Sequence, residues 1–255
     1  MKMKLIRDIR LLFWRKMLET IRNPIYIATN MLTPLIYLAL FSPLLKNLGG
    51  TAGYTPSNVL NVFIPGLLMI IAFLNGLFVG YTMIDELKNG VVERFGVTPT
   101  SRFALLAGRV LRDMVNVLVI VCFFALIAIP FGFHPHLLGF LVLLVLVAML
   151  IITTSSFGNA LGLILKDEDR LSPIVQGVNL PILLLSGMLL PMELAPHWLQ
   201  VIAHLNPVYY CVEAGRVLSA GHIYEAKVGY AFLFMVPLTI AVVTWATRAF
   251  RKAVA

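Results

Sequence analysis

Acidic and histidine side chains are the residues of this sequence whose types and spacing could do chemistry. Asp167, Glu168 and Asp169 form the only run of three carboxylates, while His197 and His204 are well separated. A lipid-modifying membrane enzyme would need a second acidic or glycine-rich motif beside such a trio, and we find none. The histidines lack the H-E-x-x-H spacing of a zinc site. We therefore predict no catalytic residue, no cofactor and no metal site, and interpret the trio as a tight turn.

Ionisable residues are also missing where an ion-driven carrier needs them. The long apolar runs contain no Lys, Arg or His in their middle, and among the acidic residues only Asp113 lies at the edge of a run. Proton- and sodium-coupled carriers usually bind the driving ion at a buried ionisable group. The sequence has no G-x-x-x-x-G-K-[ST] phosphate loop either. If the chain transports a molecule, we expect a separate ATPase to supply the energy. A secondary carrier or channel and a lipid-modifying enzyme stay open as alternatives.

Apolar runs dominate the chain, in which 60% of 255 residues are hydrophobic and 13% are charged. Each run has about 20 residues or more, which is the length that a helix needs to cross roughly 30 Å of hydrocarbon. We predict an all-α integral membrane protein with one domain over residues 1–255 and six transmembrane helices within 25–247. The predicted spans are 25–45, 59–84, 114–133, 137–165, 173–191 and 228–247.

The basic residues predict the orientation of these spans. The N-terminal segment, the block after the second span, the loop 166–172 and the tail 248–255 together hold 17 of the 20 Lys and Arg residues. Because basic loops stay in the cytoplasm, we expect a multi-pass inner-membrane protein with both termini cytoplasmic. Residues 1–24 predict a basic amphipathic helix at the membrane interface. Its apolar face comprises Leu5, Ile6, Ile9, Leu12, Phe13 and Met17. The net charge of +8 fits anionic lipid, so no nucleic-acid partner is expected.

A charged block with glycine and proline interrupts the apolar runs after the second span. Gly90 is expected to interrupt the helix leaving the membrane, and Pro99 prevents continuation of the short helix between them. Ser101 is then expected to cap a new helix that carries Arg102 and Arg109 on one face. Helix-breaking and helix-capping residues at such short spacing favour a rigid element that docks on a soluble partner over a solvated loop. The predicted docking residues are Glu86, Lys88, Gly90, Glu93, Arg94, Phe95, Pro99 and Arg102.

Small and polar residues within the spans predict close helix packing. Gly76 and Gly80 form one G-x-x-x-G motif, and Gly158 and Gly162 form another. We favour internal packing over a subunit interface for both motifs. Prolines within the predicted spans are interpreted as kinks: these are Pro34, Pro65, Pro130, Pro181 and Pro237. The polar side chains assigned to a pathway or to packing are Asn75, Asn159 and Asn179.

Two motifs in the sequence carry a family resemblance. The stretch Gly90-x-x-Glu93-Arg94-x-x-Val97-Thr98-Pro99-x-Ser101-Arg102 resembles the first cytoplasmic loop of type-2 permeases of ATP-binding-cassette exporters. Ser186-Gly187, Pro191, Pro196, Trp198 and the segment LNPVYYCVEAGR over 205–216 resemble the fifth helix and outer segment of the same family. The resemblance covers essentially the whole chain. It is nearest to daunorubicin-resistance-like drug and lipid permeases, and polysaccharide exporters share the architecture.

The resemblance implies a function, partners and an outer structure. Residues 192–227 would form a re-entrant pair of short helices between spans five and six, broken at Asn206-Pro207. Glu213 and Arg216, three residues apart, are expected to form a local ion pair there. Tyr209 belongs to the same outer segment. The chain would be a non-catalytic permease for a lipophilic drug, lipid or glycan. Its partners would be two cytoplasmic ATPase subunits that bind ATP and magnesium, an identical or similar permease, and membrane lipids.

Overall fold

The fold was analysed from a computed structural model, which describes residues 2–23, 25, 29–32, 34–40, 59–91, 101–188 and 192–253. Eight α-helices are numbered here in chain order. They are α1 (Lys2–Ile21), α2 (Val59–Lys88), α3 (Arg102–Ala128), α4 (Leu137–Leu165), α5 (Glu168–Leu185), α6 (His197–Ala203), α7 (Pro207–Ser219) and α8 (Ala226–Ala253). Residues 29–32 and 34–40 are also helical. Short 3₁₀ turns occupy Ile129–Phe131 and Met192–Leu194. No strand occurs in the described ranges.

Within the described residues, four helices are long and apolar enough to cross a membrane. They are Leu60–Lys88, Phe103–Phe131, Leu137–Leu165 and Ala226–Lys252. This agrees with the predicted all-α membrane protein. Of the 21 residues of the predicted first span, nine lie outside the described residues, namely 26–28, 33 and 41–45. The predicted fifth span corresponds to α5, which has 18 residues and carries Glu168, Asp169 and Arg170 in its first turn. Below, "inner" denotes the helix ends that the basic residues predict to face the cytoplasm.

The third span differs from its prediction at both ends. Helix α3 begins at Arg102, and the Ser101 hydroxyl accepts a hydrogen bond of 3.1 Å from the Ala104 N–H, which confirms the predicted cap. The capped helix and the third span are therefore one continuous helix. At the other end the predicted kink at Pro130 is wrong. Since Pro130 has no N–H to donate to the preceding turn, α3 ends at Ala128 and passes through the 3₁₀ turn to Gly132 at φ 114°.

Close glycine contacts hold α2 against α4. A methyl group added at Gly158 would lie 2.7 Å from the Gly76 carbonyl oxygen, and one at Gly162 would lie 2.4 Å from that of Gly80. The two G-x-x-x-G motifs therefore face each other within the chain, which confirms the prediction of internal packing. Such backbone approach lets helices associate in lipid, where apolar burial drives no association. Helix α4 also packs along α8 and α3, and so forms the centre of the bundle.

Two clusters of buried apolar side chains form the core. The larger cluster joins α2, α3, α4 and α7, with Leu68, Phe124, Leu146 and Val212 among its members. The smaller cluster lies at the inner ends of α2, α3, α4 and α8 and comprises Met83, Leu105, Leu106, Val110, Ala160, Leu163, Ala246 and Phe250. Two members of the smaller cluster, Met83 and Phe250, contact Arg109, which is one of the charged residues described next.

Candidate functional site

The predicted docking block begins as the sequence indicates. Helix α2 ends at Lys88, and Gly90 follows in the left-handed conformation at φ 67°, which glycine adopts without a steric penalty. Glu93, Arg94, Phe95 and Pro99 lie outside the described residues, as does the side chain of Arg102. The described part of the site therefore consists of the two helix ends that the block connects.

Glu86 joins three helices at this inner end. The Lys16 ammonium on α1 donates a hydrogen bond of 2.6 Å to one Glu86 carboxylate oxygen. The Arg109 guanidinium on α3 donates to the other. The side chains of Lys16, Glu86 and Arg109 are 10%, 17% and 8% exposed, respectively. We call these three residues the inner ionic triad. It fixes the amphipathic helix to both helices that carry the docking block.

Further contacts extend the triad on both sides. Arg109 donates a hydrogen bond of 2.7 Å to the Met83 sulfur, and its guanidinium lies 5.9 Å from the centre of the Phe250 ring on α8. On α1, Lys16 also lies 2.7 Å from Glu19, which Arg15 approaches to 3.4 Å. Burial by itself raises the pKa of Glu19, but the Lys16 hydrogen bond and the nearby cations prevail and lower the pKa. Four helices, α1, α2, α3 and α8, therefore meet at one charged centre.

The acidic trio forms a turn that links α5 to the docking block. Lys166 adopts a left-handed conformation at φ 57°, and the Asp167 carboxylate caps α5 by accepting a 2.9 Å hydrogen bond from the Asp169 N–H. The Glu168 carboxylate pairs with Lys88 at the end of α2. The interpretation of the trio as a tight turn holds for Asp167, whereas Glu168 and Asp169 belong to the first turn of α5. The Asp167 and Glu168 carboxylates are thus occupied by a capping and a pairing contact, respectively.

Asp113 lies deeper in the structure than the edge position that the sequence indicated. It is 3% exposed, within α3, because this helix begins twelve residues earlier than the predicted apolar run suggested. The Arg112 guanidinium lies 3.1 Å from its carboxylate, and the Ser155 hydroxyl on α4 donates to it. Asn159 donates to the Ser155 carbonyl oxygen at 2.9 Å. Asn159 was assigned either to a transport pathway or to helix packing, and these contacts favour helix packing.

An inner cleft of about 550 Å³ lies between α1, the helical residues 29–32 and 34–40, and α2. One face of α2 supplies an apolar wall that includes Leu67, Leu74 and Phe78. Asn75 lies on the same wall and donates a hydrogen bond of 2.9 Å to the Ile71 carbonyl oxygen. At the inner end the lining becomes charged, with Lys16 and Asp85 among its members. The cleft is therefore amphipathic along its length.

Arg216 organises the opposite end of the bundle. Its guanidinium lies 2.5 Å from the Glu213 carboxylate and donates a 3.2 Å hydrogen bond to the Val62 carbonyl oxygen on α2. It also donates a 2.5 Å hydrogen bond to the Gly187 carbonyl oxygen beyond α5. Glu213 in turn accepts a 2.9 Å hydrogen bond from Lys227 on α8. The predicted pair is confirmed, and it belongs to a larger outer clamp, made by Arg216, Glu213 and Lys227, that joins α2, α5, α7 and α8.

The outer segment contains two short helices, as predicted. They are α6 and α7, and Asn206 begins the second by accepting a 3.0 Å hydrogen bond from the Val208 N–H, with Pro207 at the first helical position. The Asn206 amide also donates to the Ile182 carbonyl oxygen of α5 at 3.2 Å. The centre of the Tyr209 ring lies 5.0 Å from that of the His204 ring and 5.4 Å from that of the Tyr210 ring.

Asn179 on α5 has a buried amide oxygen without a hydrogen-bond partner among the described residues.

Comparison with known proteins identifies the family. A family model described as ABC-2 type transporter matches residues 7–219, which include the inner ionic triad and the Glu213–Arg216 pair. The chain belongs to the ABC-2 type transporter family. Its ABC-2 relatives include the transport permease ycf38 of Cyanophora paradoxa, 30% identical over 215 residues that cover 84% of this chain and 74% of the relative. This membership makes the chain a membrane permease of an ATP-binding-cassette transporter.

Two further ABC-2 relatives extend the comparison. The daunorubicin resistance ABC transporter permease protein DrrB1 of Streptomyces coeruleorubidus is 28% identical over 213 residues, covering 82% of this chain and 73% of the relative. The ycf38 permease of Pyropia yezoensis is 28% identical over 222 residues, covering 84% and 74%, respectively. The family resemblance drawn from the two sequence motifs is thus confirmed over most of the chain.

Sequence reasoning missed two partners in this ABC-2 permease. It treated Lys16 and Arg109 as cytoplasmic charges and assigned Glu86 to docking, whereas Lys16 and Arg109 each contact Glu86. The sequence did contain an indication of these ion pairs, because opposite charges lie near the predicted inner ends of helices that follow one another in the chain. The clamp contacts of Arg216 to two backbone carbonyl groups had no sequence signal, since any residue supplies a carbonyl.

Proposed function

We propose that this permease is the membrane half of an exporter that moves a lipophilic or amphipathic molecule across the inner membrane. Two separate ATP-binding-cassette ATPase subunits supply the energy, and two permease chains, identical or similar, enclose the pathway. The chain spans the membrane six times with both termini cytoplasmic, and α6 and α7 dip back into the outer leaflet. The DrrB1 relative is named for daunorubicin resistance, which supports a lipophilic drug as cargo and makes daunorubicin a suitable first probe. Lipids and glycans are the other cargo classes.

The observation that carries this proposal is the inner ionic triad. Residues 89–101 of the docking block connect α2 to α3, and Glu86 and Arg109 pair across these helices close to that connection. A push on the block therefore moves α1, α2 and α3 together, because breaking a buried ion pair costs more than moving it intact. Lys88 adds α5 through Glu168. A contact with a cytoplasmic ATPase at this place reaches the whole inner half of the permease.

The amphipathic inner cleft fits the proposed cargo. Its apolar wall on α2 suits a hydrocarbon or aromatic body, while Asn75 and the charged inner end suit polar groups. In a paired arrangement this wall would face the pathway between the two permease chains. The competing proposal of a lipid-modifying enzyme loses its support, because the acidic trio serves as a helix cap and an interhelical link.

The test of this function is charge reversal in the docking block. Glu93→Lys is expected to abolish both co-purification of the co-expressed ATPase and daunorubicin efflux, since one lost charge pair at an interface costs roughly 2–5 kcal/mol. The matched control is Asp169→Lys, which makes the same charge change at an exposed position of the neighbouring inner turn. Membrane levels of both variants are matched before comparison. If Glu93→Lys retains both co-purification and efflux, the block is not the ATPase contact.

A further inference from the structure

A second cleft, which we call the outer apolar cleft, lies on the side of the bundle away from the inner cleft. It has a volume of about 430 Å³ and is enclosed by α2, α4, α5, α8 and the α6–α7 segment. Each element contributes apolar side chains, represented by Leu77, Leu150, Ile182, Leu238 and Leu205. Three of the enclosing helices, α2, α4 and α8, are long enough to cross a membrane. The cleft therefore lies at the depth of the lipid hydrocarbon.

The polar side chains that line the cleft already form hydrogen bonds within the chain. The Thr154 hydroxyl donates to the Leu150 carbonyl oxygen at 2.9 Å, and the Thr153 hydroxyl donates to that of Met149 at 2.8 Å. The Asn206 side chain is used by Val208 and Ile182. No described lining side chain offers an unused buried polar atom to hold water. Apolar cavities of this kind stay dry, and unfilled apolar space destabilises a fold in proportion to its volume.

We propose that one acyl chain of a membrane phospholipid fills the outer apolar cleft. The volume is about three times the roughly 150 Å³ that holds one benzene molecule in an engineered cavity, so it admits on the order of 18 carbon atoms. Hydrocarbon is the solvent on the outer side of the bundle, and it has no polar group that the lining would need to satisfy. The occupant is a lipid held by the fold, separate from the cargo in the inner cleft.

An aromatic rim continues the cleft and marks the headgroup end. Leu205, Pro207 and Leu238 line both the apolar cleft and an adjoining depression that contains His204, Tyr210 and Phe234. The Tyr210 and Phe234 rings stack with their centres 4.4 Å apart. Aromatic side chains with a polar tip favour the membrane–water interface. The bound lipid would thus place its chain among the helices and its headgroup at this rim.

The experiment is photolabelling of the full chain in phosphatidylcholine proteoliposomes that contain a diazirine on one acyl chain. After irradiation, labelled residues are mapped by peptide mass spectrometry. The cleft residues Leu77 and Leu150 are each 1% exposed, so label reaches them only from inside the cleft. Leu233 on α8, 63% exposed, reports ordinary contact with the bilayer. We expect label at all three positions.

Filling the cleft provides the control. Val178→Phe and, in a second variant, Val242→Phe add a ring at the lining and are expected to lower labelling of Leu150 at least fivefold while leaving Leu233 unchanged. Both variants are compared with the parent by size-exclusion chromatography, so that a folded sample is used. Label confined to exposed positions in the parent, or labelling of Leu150 that neither variant reduces, would overturn the proposal. No ATPase is needed, so the outcome is independent of the transport function.

Discussion

Arg109 on α3 and Glu86 on α2 form a buried ion pair at the base of the two helices that residues 89–101 connect. Lys16 on α1 shares the same carboxylate. Replacing Glu86 with Gln leaves the buried Arg109 without its carboxylate partner and leaves Lys16 with Glu19 alone. Because removing one member of a buried pair costs about 3–5 kcal/mol, we expect Glu86→Gln to lower the free energy of unfolding by that amount.

Equilibrium unfolding in mixed micelles, followed by circular dichroism, measures this effect of Glu86→Gln. Asp85→Asn is the matched control, since it removes a carboxylate from the adjacent, exposed position. Asp85→Asn is expected to change the free energy of unfolding by less than about 1 kcal/mol. Equal effects of the two substitutions would mean that the triad does not hold the inner ends together.

Glycine contacts between α2 and α4 lead to a second prediction. Gly158→Leu places a side chain where the Gly76 and Leu77 carbonyl oxygens lie 2.7 and 2.9 Å from the first added carbon. Since these obstacles are backbone atoms, the helices must separate, and we expect loss of folded protein after detergent extraction. The control Gly177→Leu introduces the same side chain on α5, where nothing lies within 4 Å. Size-exclusion chromatography of both variants gives the comparison, and a monodisperse Gly158→Leu sample would contradict the packing argument.

Much of this bundle could be predicted from apolar run lengths, because a span in lipid must be a helix of about 20 residues. Helix α4 occupies the predicted range 137–165, and the facing G-x-x-x-G motifs were recognised as packing sites. The start of α3 at Arg102 was predicted only in part. The cap at Ser101 was identified, but an apolar count cannot show that a charged first turn continues into a span.

The site was harder to predict than the bundle. Gly90, Asn206 and the Glu213–Arg216 pair follow from local sequence rules, since turns, caps and pairs three residues apart act within one segment. Glu86, by contrast, meets Lys16 across 70 positions of sequence. Its partner is set by how α1 packs on α3, where Leu12 lies against Gly108. That packing is a tertiary property, so a single sequence leaves the partner open.

The outer clamp depends on the shape of one guanidinium. Arg216 reaches Glu213, the Val62 carbonyl oxygen and the Gly187 carbonyl oxygen at once. A lysine ammonium keeps the charge but lacks the planar fork, so Arg216→Lys is expected to lose the two carbonyl contacts. Each lost hydrogen bond to a charged group costs roughly 1.5–3 kcal/mol. Hydrogen exchange in α7 should become faster in this variant.

The control for the clamp is Arg170→Lys. The Arg170 side chain is 75% exposed and lies 3.8 Å from Asp167, so the same substitution there should leave exchange and stability almost unchanged. Unchanged protection of α7 in Arg216→Lys would show that the clamp does not restrain the outer helices.

The charge distribution predicts a topology that cysteine labelling measures. A cysteine at Asn47 or Ala226 should react with an impermeant thiol reagent in intact cells, while one at Asn89 or Asp169 should react only after permeabilisation. The native thiols give a low background. Burial raises the pKa of Cys211 to about 12, and Cys122 lies within α3. Reversed labelling would contradict the proposed orientation and, with it, the cytoplasmic position of the docking block.

The central claim is that this permease moves its cargo only with energy from a separate ATPase. Daunorubicin transport is measured in proteoliposomes that hold either the permease alone or its complex with a co-expressed ATP-binding-cassette ATPase. We expect the complex to hydrolyse ATP and transport the drug, and we expect the permease alone to do neither, with or without an imposed proton gradient. Gradient-driven transport by the permease alone, in the absence of ATP, would contradict the account.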